Sequence, residues 1–217
     1  WNFGSNAFPS ISTEQNPNDI QFSTSGTQNI TLSISVNGCE NSTTGSVEVY
    51  DQIPIEIFAS PTGCEPLTVL FQNNLNPSFH EFEWDLGNGE TILSNSAQAI
   101  YLQGEYDISL NVINTLNDCE GSLYLSNYVQ VAPQPISNFS LNDDYYVAGD
   151  PIIISNNALY ANAYNYQFSS GFTSNEEDPE YTPPTTGDIT IWQYAFNEEF
   201  NCVDSSSVST EVKNEYT

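Results

Sequence analysis

Basic residues are almost missing from this chain: Lys and Arg together number 1, against 28 Asp and Glu, giving a formal net charge of −27. Proteins that hold nucleic acid do so by replacing its counterions with their own cations, so the charge rules strongly against that class of partner, and the same argument disfavours anionic membrane surfaces. Lys213 and the single His80 are the only basic side chains, so ion pairs cannot carry the fold. Apolar burial, backbone pairing and disulfides must do so instead. No run of eighteen apolar residues occurs, so no membrane-spanning helix is expected and no membrane insertion by this segment. No leader sequence is visible either. The chain opens on Trp1, inside what proves to be a repeat, and is expected to be part of a longer protein whose targeting signals lie elsewhere.

Cysteine is sparse, at positions 39, 64, 119 and 202, and no two cysteines have the close spacing of a zinc site or a redox dithiol. Disulfide use in an oxidising, extracellular setting is the reading that remains. High negative charge often accompanies disorder, but aromatic residues make up 13% of the chain and apolar residues alternate with polar ones over long stretches. That two-residue period predicts packed strands, and no helical period of useful length is present.

The best-formed stretch runs from Phe82 through Trp84-Asp-Leu-Gly-Asn-Gly89 to Ala99-Ile-Tyr101 and Gly104-Glu-Tyr106. Phe82 and Trp84 share one face of a strand, and Gly87 and Gly89 give the sharp turn after it a backbone that a side chain would obstruct. Tyr106, Ile108, Leu110 and Val112 then form the cleanest half-buried strand. The plan recurs. Trp1-Asn-Phe-Gly4 matches Trp84 to Gly87, Gly26 to Val36 matches the strand from Gly104, and Cys39 falls where Cys119 falls. Further on, Pro151-Ile-Ile-Ile154 parallels Pro66-Leu-Thr-Val69, Phe168 to Gly171 stands in for Trp84 to Gly87, and Cys202 closes the frame. Trp192, Tyr194 and Phe196 alternate against Ile189 and Ile191, which predicts a bulge or a second packed face there. Pro54 and its neighbours open one repeat, and Pro133-Gln-Pro135 marks the next boundary. Three repeats follow: 1–50, lacking its first strands; 51–132; and a diverged 133–217. Several short strands per repeat, with turns every eight to twelve residues, predict an all-β chain of tandem immunoglobulin-like β-sandwiches, the first one incomplete.

These residues resemble the PKD domain family, whose hallmark is an aromatic-Asp-Phe-Gly-Asp-Gly turn followed by a Tyr and a Gly-x-Tyr-x-Val strand. Trp84, Asp85, Gly87, Gly89, Tyr101, Gly104 and Tyr106 match it; Trp1 and Gly4 keep part of it; Phe168 and Gly171 are its diverged copy, which loses the second glycine. Tandem copies with Gly-Cys-x-Pro-Leu-x-Val before the turn and a cysteine after it look like those of giant cell-surface adhesins of Bacteroidota, including SprB-like gliding-motility adhesins exported by type IX secretion. The resemblance implies a structural or adhesive segment of a secreted surface filament. Its partners would be neighbouring repeats, surface polysaccharide or other surface proteins. Relatives also serve as spacers or carbohydrate-binding modules of secreted hydrolases, and the two readings part on whether the parent reading frame holds many more repeats or a catalytic domain.

In the strand order of such a sandwich, Cys64 lies in the first interstrand loop at the C-terminal pole, and Cys119 at the opposite pole. Strands of six or seven residues would separate them by about 20 Å, beyond the roughly 7 Å that a disulfide spans between Cα atoms. Head to tail, however, Cys64 would face Cys202 of the next repeat, and Gly149 stands near the place of Cys64 there. A Cys64–Cys202 bond between repeats is therefore preferred to a Cys64–Cys119 bond within one, with Cys39 and Cys119 bonded to cysteines upstream of Trp1.

Other candidate chemistry is weak, and no enzyme is expected. His80, between Phe79 and Glu81, has no nucleophile motif near it and reads as a surface residue. Asp143-Asp144, Glu176-Glu-Asp178 and Glu198-Glu199 lack the spacing of an EF-hand loop; they read as solvated loop charge, with weak Ca2+ binding as the alternative and no other cofactor implied. Phe82, Trp84 and Tyr106 could form a sugar-stacking platform, but their strand parity makes them core first. Trp192 and Tyr194 are less easily assigned to a core. Asn29, Asn41 and Asn138 head glycosylation-type tripeptides and are read only as exposed.

Overall fold

Alternation of apolar and polar residues produces strands throughout the computed structural model, which describes residues 1–214. The first repeat holds β1 (Ala7–Phe8), β2 (Gln21–Phe22), β3 (Gly26–Val36) and β4 (Cys39–Val49). The second holds β5 (Ile57–Phe58), β6 (Thr62–Cys64), β7 (Leu67–Asn73), β8 (His80–Asp85), β9 (Thr91–Ile92), β10 (Ala97–Tyr101), β11 (Gly104–Asn114) and β12 (Glu120–Ala132). The third holds β13 (Phe139–Leu141), β14 (Tyr146–Val147), β15 (Ile152–Asn156), β16 (Ala163–Phe168), β17 (Thr173–Ser174), β18 (Glu180–Tyr181), β19 (Gly187–Asn197) and β20 (Cys202–Lys213). Helices are absent among the described residues, so none is long and apolar enough to cross a membrane.

The second and third repeats share one topology. A three-stranded sheet, β10-β7-β5 or β13-β15-β18, packs on a five-stranded one, β6-β12-β11-β8-β9 or β14-β20-β19-β16-β17. One edge strand of each larger sheet, β6 or β14, runs parallel to the last strand of its repeat, and the other pairings are antiparallel. These are immunoglobulin-like sandwiches in tandem. From Thr62 to Asn73 the chain forms two strands in different sheets, β6 and β7, and changes sheet at Glu65-Pro66. Cys64 is accordingly the last residue of an edge strand, not a loop residue, though it remains at the C-terminal pole.

Each sandwich has its own core. Val69 and Phe71 on β7 and Ala99 and Tyr101 on β10 meet Trp84, Ile108, Leu110, Val112 and Val129 of the larger sheet, with Ile53, Ile55 and Ile57 packed at the margin. Phe139, Ile152 and Ile154 meet Tyr166, Phe168, Ile191 and Val212 in the third repeat. Trp84 is fully buried, 5.9 Å from the ring of Phe71, and its Nε1 donates to the carbonyl of Ser94 at 2.9 Å. Tyr101 Oη donates to Leu86 O at 2.9 Å, and Tyr106 Oη reaches back to Leu102 O at 3.0 Å, the tyrosine corner of immunoglobulin-like folds.

The first repeat follows the same plan in the strands it holds. Asn2 bridges Thr31, which sets Trp1 where Trp84 stands, and Gly4 N is capped by Asn2 Oδ1 at 2.9 Å just as Gly87 N is by Asp85 Oδ1. β2 stands where β10 does but pairs with β1, no counterparts of β5 and β7 occur within residues 1–50, and Ile34 on β3 is exposed where Val112 on β11 is buried.

Register corrects the alignment of the third repeat. Leu110 pairs with Trp84, and its equivalent Gln193 pairs with Tyr166, not with Phe168. Tyr166 is therefore the counterpart of Trp84, and its Oη donates to Glu177 O at 3.0 Å as the indole does to Ser94. Phe168 takes the place of Leu86, and Gly171, at φ +91°, takes that of Gly89 at φ +92°. The copy has kept the second glycine and lost the first, which is Ser169. The spacing misled because the paired residues Tyr166 and Gln193 are 27 apart in sequence where Trp84 and Leu110 are 26 apart. Of the bulge or second packed face expected in the third repeat, the bulge is absent, since β19 pairs with β20 without a register shift; in the second repeat β12 bulges opposite Asp107.

Candidate functional site: the junction between sandwiches

The feature that sequence reasoning placed at the module poles is a covalent clasp. Cys64 and Cys202 form a disulfide with Cα atoms 6.2 Å apart at a sequence separation of 138. Local structure explains how they meet. Cys64 pairs with Ala132, the last residue of β12, so it stands beside the point where the chain leaves the second sandwich. Cys202 opens β20 at the tip of the β19–β20 hairpin, directly after Asn201 at φ +55°. Two residues past Ala132, the linker residue Gln134 donates from Nε2 to the carbonyl of Val203 at 3.2 Å, beside Cys202. The main chain and the disulfide thus cross the junction side by side.

Cys119 sits at the β11–β12 hairpin after Asp118 at φ +54°, the place of Cys202, with its N–H bonded to Asn117 Oδ1. It and Cys64 lie at opposite ends of the 13-residue β12, which at about 3.3 Å per residue is roughly 40 Å. The strand is twice as long as expected, and the bond within one repeat is correspondingly further out of reach. The counterpart of Cys64 in the third repeat is Val147, which pairs with Lys213 as Cys64 pairs with Ala132; Gly149 is two residues further on. Cys39, after Asn37 and Gly38 in a two-residue turn, is exposed and, like Cys119, unbonded.

Beyond the clasp, the linker is fixed to the third sandwich. Ser137 N donates to Asp204 Oδ2 at 2.8 Å, and Ser137 Oγ lies 2.7 Å from Gln193 Oε1 and 2.8 Å from Ser206 Oγ. Gln193 is fully buried, and its Nε2 donates to Tyr166 Oη and to Asn156 Oδ1. A polar network thus occupies the site where the second sandwich has Leu110, and it ties the linker to both sheets. Burial there pushes the Tyr166 phenol up to about 12. Nothing in the motif spacing announced this network. The one signal was a glutamine on the inward parity of β19.

The remaining candidates are structural. The ring Nδ1 of His80 lies 2.9 Å from Asn76 O, across a turn. Asp143 Oδ1 accepts from the N–H groups of Asp144 and Tyr145, and Asp178 Oδ1 accepts from Asn156 N. Among the described residues, no group of three or more His, Cys, Asp and Glu is placed to hold a metal ion. Phe82, Trp84 and Tyr106 all pack in or against the core. Asn29, Asn41 and Asn138 are exposed.

No family model and no curated protein matches the chain. Solved structures do. The PKD1 domain of Vibrio anguillarum Epp is 18% identical, with a TM-score of 0.34, over 39% of this chain and 99% of that one. Three N-terminal domains of the highly immunogenic outer capsid protein of bacteriophage RB49 are 10% identical with a TM-score of 0.36, over 74% of this chain and 58% of that one. The amphioxus IgVJ-C2 molecule is 14% identical with a TM-score of 0.35, over 69% of this chain and 98% of that one.

Proposed function

We propose that this chain is a load-bearing, adhesive segment of a secreted cell-surface filament, of the gliding-motility adhesin type, in which disulfides clasp each sandwich to the next. The observation that supports it is the Cys64–Cys202 bond across the linker. Pulled from its ends, the oxidised chain passes force from Cys64 to Cys202, and residues 65–201 are bypassed. Cys39 and Cys119, at the hairpin position that Cys202 uses, would take partners on the edge strand of the preceding repeat and continue the same scheme along an array. A disulfide of this kind suits an oxidising exterior, and the net charge of −27 keeps neighbouring fibres apart by self-repulsion, screened beyond about 10 Å in physiological salt.

Single-molecule pulling of the whole chain tests this. At about 3.3–3.6 Å per extended residue, the 138-residue span hides roughly 450–500 Å of contour length. The oxidised chain should show unfolding steps that omit that length, and reduced chain should release it. Equal total extension in both states would refute the load path.

A further inference from the structure

The larger sheets of the two complete sandwiches present different outer faces. In the second, that face carries Glu81, Glu83 and Asp85 on β8 and Glu120 on β12 around Ser109 and Asn111 of the central strand β11. The equivalent positions of β19 are Trp192 and Tyr194, followed by Phe196. Their neighbours across the strands are Gln167 and Ser207 for Trp192, Asn165 and Ser205 for Tyr194, and Ala163 and Val203 for Phe196. In a chain with 28 carboxylates, this strip has none.

The three aromatic side chains occupy alternate residues of one strand, so they stand in a row at about 6.6 Å intervals on one face of the sheet. Trp192 is 38% exposed, whereas Trp84 of the second core is fully buried. Beside the row the amides are held in order: Asn165 Nδ2 donates to Asn175 Oδ1 at 2.8 Å, and Gln167 Nε2 donates to Asn165 Oδ1 at 3.0 Å. Flat aromatic surface, fixed neutral amides and hydroxyls, and no charge match one chemistry: a sugar chain whose C–H faces stack on the rings and whose hydroxyls bond to the amides. The net charge of the protein repels a polyanionic chain, and the neutral strip has no cation to hold one.

We propose that the outer face of the third sandwich, centred on Trp192 with Tyr194, Asn165 and Gln167, binds a neutral polysaccharide. This inference stands on the geometry of that face and not on the clasp; a rod without glycan affinity would leave the mechanical reading intact. Affinity electrophoresis of the whole oxidised chain through gels containing hydroxyethylcellulose, laminarin, xylan or alginate tests it. At least one neutral glycan should retard the chain, and alginate should not. Trp192→Ala should weaken retardation about tenfold or more with an unchanged thermal melt, because the indole is at the surface. Ser207→Arg, which lays a guanidinium on the indole, should do the same without removing a core contact. Tyr124→Ala on the acidic face of the second sandwich should leave retardation unchanged. Three results would overturn the proposal: no retardation by any neutral glycan, retardation that survives both strip variants, or a dimer in sedimentation that Trp192→Ala abolishes, since the face would then be occupied by a second copy of the chain.

Discussion

Gly87 sits at φ +68°, and a Cβ placed on it would collide with the carbonyl oxygen of Asp107. Gly89, two residues on, has φ +92° and open space around it. Both positions strain an L side chain, but only the first also meets backbone that cannot move away cheaply. Gly87→Ala should therefore destabilise the second sandwich by about 2–4 kcal/mol and Gly89→Ala by about 1 kcal/mol, read from denaturant midpoints. Ser169 occupies the place of Gly87 in the third sandwich, where the turn has adjusted: its N–H bonds to Thr190 O and its Oγ accepts from Thr190 N. Gln193 shows the converse. Leucine serves at the equivalent position 110, yet Gln193→Leu would take Nε2 from Tyr166 and Asn156 and Oε1 from Ser137. It should cost about 1–3 kcal/mol despite adding apolar volume. The Tyr166 phenol in this network has a folded pKa raised to about 12, against an unfolded value near 10. Its contribution is fully present below pH 10 and is lost as pH rises towards 12, on the order of 2 kcal/mol. Alkaline unfolding of the third sandwich, followed by tyrosinate absorbance, should begin in that window.

Strand character was legible wherever apolar residues alternated: β7, β11 and β19 lie where the period predicts them, because each has one face against a core, and β3 does so through its pairing with β4 alone. Turn geometry was less legible, since it depends on which residues lie opposite across the sheet. Phe168 could be matched to Trp84 by spacing, but only the pairing of Gln193 with Tyr166 shows that an extra residue between the paired positions had shifted the frame. The β12 bulge was hidden for a related reason. Tyr106 pairs with Val129 and Ile108 with Leu125, so Ser126, Asn127 and Tyr128 face Asp107 alone, and Asn127 takes φ +49°. Asp107 stabilises that distortion by accepting from Tyr124 Oη and Asn127 N, and the Tyr124 hydroxyl, then the backbone donor, hold its carboxyl below the usual aspartate range. A depressed carboxylate pKa contributes stability above the unfolded value of about 3.9 and loses it as pH falls through the lower native one. Tyr124→Phe should raise the Asp107 pKa in an NMR titration and reduce its acid-sensitive contribution. An unchanged titration would mean that Asn127 alone holds the charge.

At the scale of the whole chain, the decisive information was the position of cysteines relative to the poles, which the repeat frame exposes without any knowledge of side-chain packing. What the frame could not expose is that the linker is itself held. Gln134 bonds to Val203 and Ser137 to Asp204 and Gln193, so the third sandwich grips the chain that enters it even without the disulfide. The clasp adds a second strut beside the first, from the edge strand β6 to the hairpin tip at Cys202. One strut leaves a hinge about the linker; two side by side restrict bending in the plane that contains both. Reduction should therefore leave each sandwich folded, because their cores share no buried residue, while widening the distribution of angles between them. Small-angle scattering of the whole chain should show the interdomain distance distribution broaden on reduction and in Cys64→Ser, with far-UV circular dichroism unchanged. Gln134→Ala in the oxidised chain should have little effect, because the disulfide still spans the junction, but in the Cys64→Ser background it should broaden the distribution further. A reduced chain as narrow as the oxidised one would mean that the linker contacts alone set the angle, leaving the disulfide as a tensile tether and not a brace.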